Sequence, residues 1–328
     1  MLRRMLMFAF VFAAIHAVAA ETSKSRHFTF HYAFSVRGVE PGKPIQVWLP
    51  LAHSDRYQDV RVIATHGDLP LKQMRESEYG NPMLFASAKR AEKTEYKFSI
   101  DYDVVRREHL PDGPKEMAGK KELARFEQPD KLVPVTGLPA DLAAKTVDAK
   151  APRVEQAHAI YEYVFNNMRY DKSGTGWGRG DTLFACDAKR GNCTDFHSLF
   201  ISMARSQKIP ARFEIGFPLP ADKHSGEIAG YHCWASFYDP ARGWIPVDIS
   251  EAWKHPDKRE YFFGAHDDNR VQLTIGRDIT LNPKQRGDQR NYFVYPYVEV
   301  DGKEFSNVAL DFSFADVQPA GEPSAHGN

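Results

Sequence analysis

Gly191-Asn192-Cys193-Thr194-Asp195-Phe196-His197-Ser198-Leu199-Phe200 is the stretch where a loop turns into a helix, and a thiol stands at the junction. Phe196, Leu199, Phe200, Met203 and Ala204 recur at helical spacing, and Cys193 lies one turn before Phe196 on the same apolar face. Asn192 belongs to the residue types that cap helices, and Asp195 three positions on completes a capping-box pattern. A helix start carries unpaired N–H groups and a partial positive charge, which stabilise a thiolate and can cradle an oxyanion. The same position also continues the apolar stripe, so an inert core thiol is the plain alternative.

Downstream, the helix is expected to end near Lys208-Ile209-Pro210, and Phe213, Ile215 and Phe217 alternate as a strand. A hairpin pattern follows. Tyr231, Cys233, Ala235 and Phe237 fall on one face, with His232, Trp234, Ser236 and Tyr238 on the other. Asp239-Pro240-Ala241-Arg242-Gly243 has turn chemistry. On the return strand Ile245, Val247 and Ile249 alternate with Trp244, Pro246 and Asp248. A turn near Pro240 makes His232 and Asp248 cross-strand neighbours, with Cβ atoms about 4.5–5.5 Å apart or, on a diagonal, within about 8 Å.

These residue types point to thiol chemistry. A neutral imidazole can take a thiol proton, leaving a thiolate–imidazolium pair, and a carboxylate behind it fixes the tautomer. His232 and Asp248 fit those roles for Cys193; a histidine exposed on a strand is the plain alternative. His197, four residues after Cys193 on the same helix, is a rival base. Cys186, Cys193, Cys233 and His232 could also be imagined around zinc. They show no C-x-x-C spacing, and Cys233 and His232 fall on opposite strand faces, so no metal and no cofactor is assigned. Cys233 reads as a core thiol or as a disulfide partner for Cys186.

Before the capped helix, Tyr170 to Asp181 holds four glycines around Trp177. It lacks the Lys-Ser/Thr ending of a phosphate-binding loop and follows no strand, so a nucleotide site is not expected. It reads as a loop lining a substrate cleft.

Three linked blocks now support a family comparison: Gly191-Asn192-Cys193-Thr194-Asp195-Phe196-His197 with Ile209-Pro210-Ala211-Arg212, His232-Cys233-Trp234, and Gly243-Trp244-Ile245-Pro246-Val247-Asp248. In order and spacing they resemble the core motifs of the transglutaminase-like superfamily over roughly residues 152–252. The resemblance implies a papain-like α+β core, a helix bearing the cysteine packed on an antiparallel sheet. It implies Cys193 as nucleophile, His232 as base and Asp248 as orienter. It is also similar to exported bacterial members that carry an N-terminal β domain, a group of transglutaminases, thiol proteases, amidases and inactive relatives. The triad positions are all filled here. The resemblance leaves the second oxyanion donor open; the indole N–H of Trp177 is the first choice, beside the backbone N–H of Cys193, and Trp234 is placed in the cleft.

The rest of the chain frames this core. At 328 residues it is long enough for two or three domains. Residues 1–20 read as a signal peptide: Arg3 and Arg4, an apolar run from Met5 to Ala14, then Ala17-Val18-Ala19-Ala20. The mature chain is expected to be periplasmic or secreted, with no membrane span. Three cysteines leave at least one thiol unpaired within the monomer. Lys+Arg and Asp+Glu both number 43, so no global field recruits nucleic acid.

Phe28, Phe30, Tyr32, Phe34 and Val36 alternate, as do Tyr96, Phe98, Ile100, Tyr102 and Val104, so residues 25–106 read as a β-sandwich. Residues 107–151 read as a linker with a short helix near Lys121, and 152–317 as the transglutaminase-like domain. In that domain the C-terminal strand patterns are expected to complete the sheet behind the helix. A disordered tail is expected at 318–328. The expected activity is acyl transfer or hydrolysis on a peptide or protein amide, with the cell envelope as a candidate source. The alternative from another class is a non-catalytic peptide-binding scaffold.

Overall fold

A computed structural model describes residues 23–318; the signal-peptide reading and nearly all of the tail lie outside the described residues. The chain opens with six strands, β1 (Ser25–Arg37), β2 (Ile45–Pro50), β3 (Gln58–Gly67), β4 (Lys72–Arg75), β5 (Pro82–Ala88) and β6 (Glu95–Arg107). Helices α1 (Lys120–Arg125), α2 (Leu138–Thr146) and α3 (Arg153–Asn167) follow, then β7 (Arg169–Tyr170), α4 (Thr182–Ala188), β8 (Arg190–Gly191) and α5 (Cys193–Ser206). Next come β9 (Ala211–Pro218), β10 (Ser225–Glu227), β11 (His232–Asp239), β12 (Gly243–Val247) and α6 (Ile249–Lys254). The chain closes with β13 (Arg270–Ile275), β14 (Tyr297–Val300), β15 (Lys303–Glu304) and β16 (Val308–Asp316).

The alternation in β1 and β6 meets in register. Phe28 lies opposite Val104, Phe30 opposite Tyr102, Tyr32 opposite Ile100, Phe34 opposite Phe98 and Val36 opposite Tyr96, all buried. A slip of one residue would turn this whole set to solvent, which is why the pairing is unique. Two five-stranded sheets form the sandwich, ordered β10-β16-β1-β6-β3 and β15-β14-β2-β5-β4. The C-terminal strands therefore do not all join the sheet behind the helix. Only β13 does so, in the order β12-β11-β9-β13, while β16 pairs with β1 and β14 with β2. The physical reason is the aromatic seam: Phe312 of β16 packs at 4.8 Å on Tyr32 and at 4.5 Å on Phe217 of β9, tying sandwich to core.

The segment expected as a linker is also packed. Ala143 of α2 and Phe126 after α1 are fully buried, and Glu116 holds Arg212 of β9 through two hydrogen bonds of 2.7 and 3.0 Å. Its charged composition masked a few well-placed apolar residues.

Helix α5 is the centre of the core. Every residue from Cys193 to Arg205 is buried, so it is covered on all sides rather than amphipathic. Its polar members are paired: Arg205 donates to Asp130 at 2.7 Å and to the Ala211 carbonyl at 2.8 Å. At the seam with the sandwich lies a polar chamber of about 80 Å³, lined by His53, Asp55, Arg106, His109, Arg212 and His266 among others.

Candidate active site

The head of α5 is built by two reciprocal caps. The Asn192 side chain accepts from the Thr194 N–H at 2.9 Å, and the Asp195 carboxylate accepts from the Asn192 N–H at 3.0 Å. Asp195 also accepts from the N–H groups of Gly178 at 2.7 Å and Gly180 at 3.0 Å, so the cap clamps the glycine loop onto the helix. Glycine is required at 191, where φ is 155° and a Cβ would sit 2.2 Å from the Asp195 carboxylate. Arg277 donates to the Gly180 carbonyl at 3.0 Å and to that of Arg179 at 2.9 Å, fastening the loop from the other side.

The structure brings Cys193, His232 and Asp248 together. Cys193 is 2% exposed, at the first turn of α5, and His232 opens β11. Asp248 ends the return strand as the N-cap of α6, where its carboxylate accepts from the Glu251 N–H at 3.1 Å. The strand register pairs Ala235 with Val247, so Asp248 stands on a diagonal to His232 rather than directly opposite. Imidazole and carboxylate still meet: His232 Nε2 lies 2.7 Å from Asp248 Oδ2. That leaves Nδ1 free of the carboxylate, and the Cys193 thiol lies close enough to bear on the charge of the imidazole.

Burial works against charge at each of these groups, and the neighbours overcome it. The Cys193 thiol would rise on desolvation, but the neighbouring Cys233 thiol and the His232 imidazole hold it well below the usual thiol range. Burial would lower His232, yet the Asp248 charge and hydrogen bond, with the Cys193 thiolate, push it up to about 10. Asp248, opposed by desolvation, is held well below the carboxylate range by His232 and by Arg270, whose Nη1 donates to it at 3.1 Å. These directions favour a thiolate beside an imidazolium, with a carboxylate behind it.

The tryptophans stand elsewhere than expected. Trp177 is half-buried, and its indole N–H donates to the Gly174 carbonyl within its own loop at 3.1 Å, so it is not offered to Cys193. Trp234 is fully buried and is no cleft wall. Its N–H donates at 2.6 Å to Glu214, its cross-strand partner on β9, and its ring lies 6.0 Å from that of His232, with the Arg270 guanidinium 4.8 Å over the indole. It backs the imidazole. All three cysteines are free: Cys186 is half-exposed on α4, while Cys233 faces α5, 3.6 Å from Thr194 Oγ1.

His197, the rival base, accepts from the Ile249 N–H through Nε2 at 3.0 Å and is lowered to about 4, chiefly by burial. Arg270 and Tyr231 were missed by sequence reasoning. Nothing local marks Arg270, which arrives from another strand, whereas Tyr231 carried a signal by adjoining His232. Beside His232 a cleft of about 640 Å³ opens, bounded by Glu251, Tyr261, Asp267 and Arg270.

Residues 140–249 match the family model of the transglutaminase-like superfamily. An uncharacterized protein of Haemophilus influenzae is 28% identical over 297 residues, covering 78% of this chain and 80% of that protein. YebA of Bacillus subtilis is 24% identical over 129 residues, 35% of this chain and 18% of YebA. Among solved structures, that of a putative cysteine protease from Cytophaga hutchinsonii superposes with a TM-score of 0.59 at 17% identity. The match covers 92% of this chain and 94% of that one, so the two share a fold across sandwich and core together.

Proposed function

The chain carries a transglutaminase-like core, and from that premise we propose an exported cysteine enzyme that forms an acyl-enzyme on Cys193 from a peptide or protein amide. The observation that carries the reading is the buried line from Asp248 through His232 to Cys193, with a 2.7 Å bond at its carboxylate end and the thiol at a capped helix start. The Cys193 thiolate attacks the amide carbonyl carbon, and the C–S bond forms as the carbonyl pair moves to oxygen. Collapse expels the amine, which takes its proton from the His232 imidazolium. The neutral imidazole then draws a proton from water or from a second amine as that nucleophile attacks the thioester, giving hydrolysis or acyl transfer and restoring the pair. Asp248 holds Nε2–H throughout, keeping Nδ1 on the reacting side. The cleft beside His232 has the size of a site for an extended peptide segment rather than a single small group.

The test is mass spectrometry of the intact protein after incubation with a mixed peptide library. A covalent mass increment mapped to Cys193, absent in Cys193→Ala, supports the reading and names the acyl group. An increment that persists in Cys193→Ala sinks it.

A further inference from the structure

The helix start offers one backbone donor to a developing oxyanion. The N–H groups of Asn192, Thr194, Asp195 and Phe196 all have acceptors within the cap, at 2.9–3.2 Å. The Cys193 N–H has none among the described residues. A second donor is needed for a built oxyanion site, and the indole of Trp177 is engaged in its own loop.

Tyr231 is held by the two residues that flank the thiol in the chain. Its hydroxyl bridges the residues on either side of the thiol, 3.0 Å from Asn192 Nδ2 and 2.9 Å from Thr194 Oγ1. The direction of these bonds decides what the phenol proton can do. An amide NH₂ only donates, so Asn192 occupies a lone pair of the Tyr231 oxygen and leaves its proton untouched. The Asn192 amide is itself fixed, because its Oδ1 accepts from the Thr194 N–H and its Nδ2 is backed by Gly178, where a Cβ would lie 3.4 Å away. Thr194 is the other neighbour, and its hydroxyl can donate as readily as accept. Rotation of the two hydroxyls then lets Thr194 donate to Tyr231 and releases the phenol proton. An oxyanion is the stronger acceptor of the two, since hydrogen bonds to charged groups are roughly twice as strong as neutral ones. The ring cannot swing away, because Tyr292 and Tyr295 pack on it at centroid distances of 5.4 and 5.9 Å.

We propose that Tyr231 is the side-chain donor of the oxyanion site, acting with the Cys193 N–H, and that Asn192 and Thr194 orient it. This rests on Cys193 being the nucleophile. In the step, the thiolate attacks the carbonyl carbon and the carbonyl pair moves to oxygen. Tyr231 donates a hydrogen bond to that oxygen and keeps its proton.

Two reagents separate this from a structural role. Acylation of Cys193 by p-nitrophenyl acetate passes through a tetrahedral oxyanion, whereas alkylation by iodoacetamide displaces iodide and forms none. With the full chain, Tyr231→Phe is expected to slow the nitrophenolate burst about 10²-fold and to leave the iodoacetamide rate within about threefold of wild type. A burst within about threefold of wild type, or a parallel loss of both rates, overturns the assignment. A burst that survives in Cys193→Ala overturns the nucleophile reading instead.

Discussion

The backbone N–H of Ile249 donates to Nε2 of His197 over 3.0 Å. This bond ties the middle of α5 to the residue after Asp248, and it takes the lone pair that a base on His197 would need. The ring is fully buried and lowered to about 4, so it is neutral near pH 7. His197→Ala is expected to lower unfolding stability by about 2 kcal/mol, the cost of a buried N–H left without an acceptor. The variant should keep the pH profile of Cys193 alkylation. Denaturant titration and iodoacetamide kinetics check the two halves; a profile shifted to that of an isolated thiol would make His197 the base after all.

The charged pair has its own pH signature. His232 is raised to about 10 and Cys193 is held well below the usual thiol range, so the thiolate is present across the interval between them. Alkylation of the wild type should be nearly flat from neutral pH to about pH 9, where a free thiol near 8.5 would climb steeply. His232→Ala removes the counter-charge from a buried sulfur, and its rate should rise only above about pH 8.5. The stability sign follows: a folded value above the unfolded 6.5 contributes stability present below pH 6.5 and lost as pH rises through about 10. An identical flat profile in His232→Ala would sink the pair.

Acid stability is set at the seam chamber. Burial lowers His109 to about 3, and it lowers His53 and His266 as well. Among the described residues, His53 Nδ1, Arg106 Nε and His266 Nε2 have no hydrogen-bond partner. Below pH 6.5 the unfolded chain binds protons that the folded chain refuses, so stability falls as pH drops from about 6.5 toward the folded values. The slope is about 1.4 kcal/mol per pH unit for each histidine. The charged groups facing them are Asp55, Glu116, Glu214, Arg106 and Arg212 in the chamber wall and Arg270 beside His266; Arg212 holds Glu116 below the usual carboxylate range against its burial, and burial raises Asp55. Urea melts at pH 7.5, 6 and 5 should show the decline, and His109→Gln should make it shallower. Equal stability at all three pH values would contradict the assignment.

The site was legible in the sequence where its signals are local. Asn192, Cys193 and Asp195 lie within one helical turn, and the turn residues Asp239 to Gly243 bring His232 near Asp248 through one hairpin. The alternation of β1 and β6 was legible for the same reason. Partner choice across the chain was not: the pattern of Val308 to Phe314 tells which face is apolar, not that β1 receives it. Arg270 and the chamber arise only when distant strands meet. Trp177 and Trp234 misled because an indole N–H has one proton, and the nearest acceptor, Gly174 or Glu214, took it before the cleft could.

Asp195 couples the cap to the loop. Its carboxylate receives three backbone N–H groups, from Gly178, Gly180 and Asn192. Asp195→Ala leaves all three without an acceptor, at about 1–3 kcal/mol for each group that water cannot reach. The exposed part of the loop carries Lys172 and Arg179. Limited trypsin digestion should cut the variant there at least tenfold faster than wild type, with mass spectrometry locating the cuts. Unchanged cleavage would mean that Arg277 and Asn291, which donate to the Arg179 carbonyl, hold the loop without the cap.

The final strand tests how far the core depends on the sandwich. Val308–Asp316 pairs with β1 along nine residues and carries β10 on its other edge. Phe312 and Phe314 are buried, the first against Tyr32 and Phe217, the second under the Arg26 guanidinium at 5.1 Å. Ending the chain after Ser306 removes both rings, at about 3–5 kcal/mol each for loss of a buried phenylalanine, and leaves a long hydrophobic edge on β1 open to pairing with other chains. That loss rivals the whole stability of a typical domain. The truncated chain is therefore expected to aggregate, although residues 140–249 and all of Cys193, His232 and Asp248 are retained. Soluble yield and a thermal melt decide it: a cooperative transition at the wild-type midpoint would show that the core folds without its last strand.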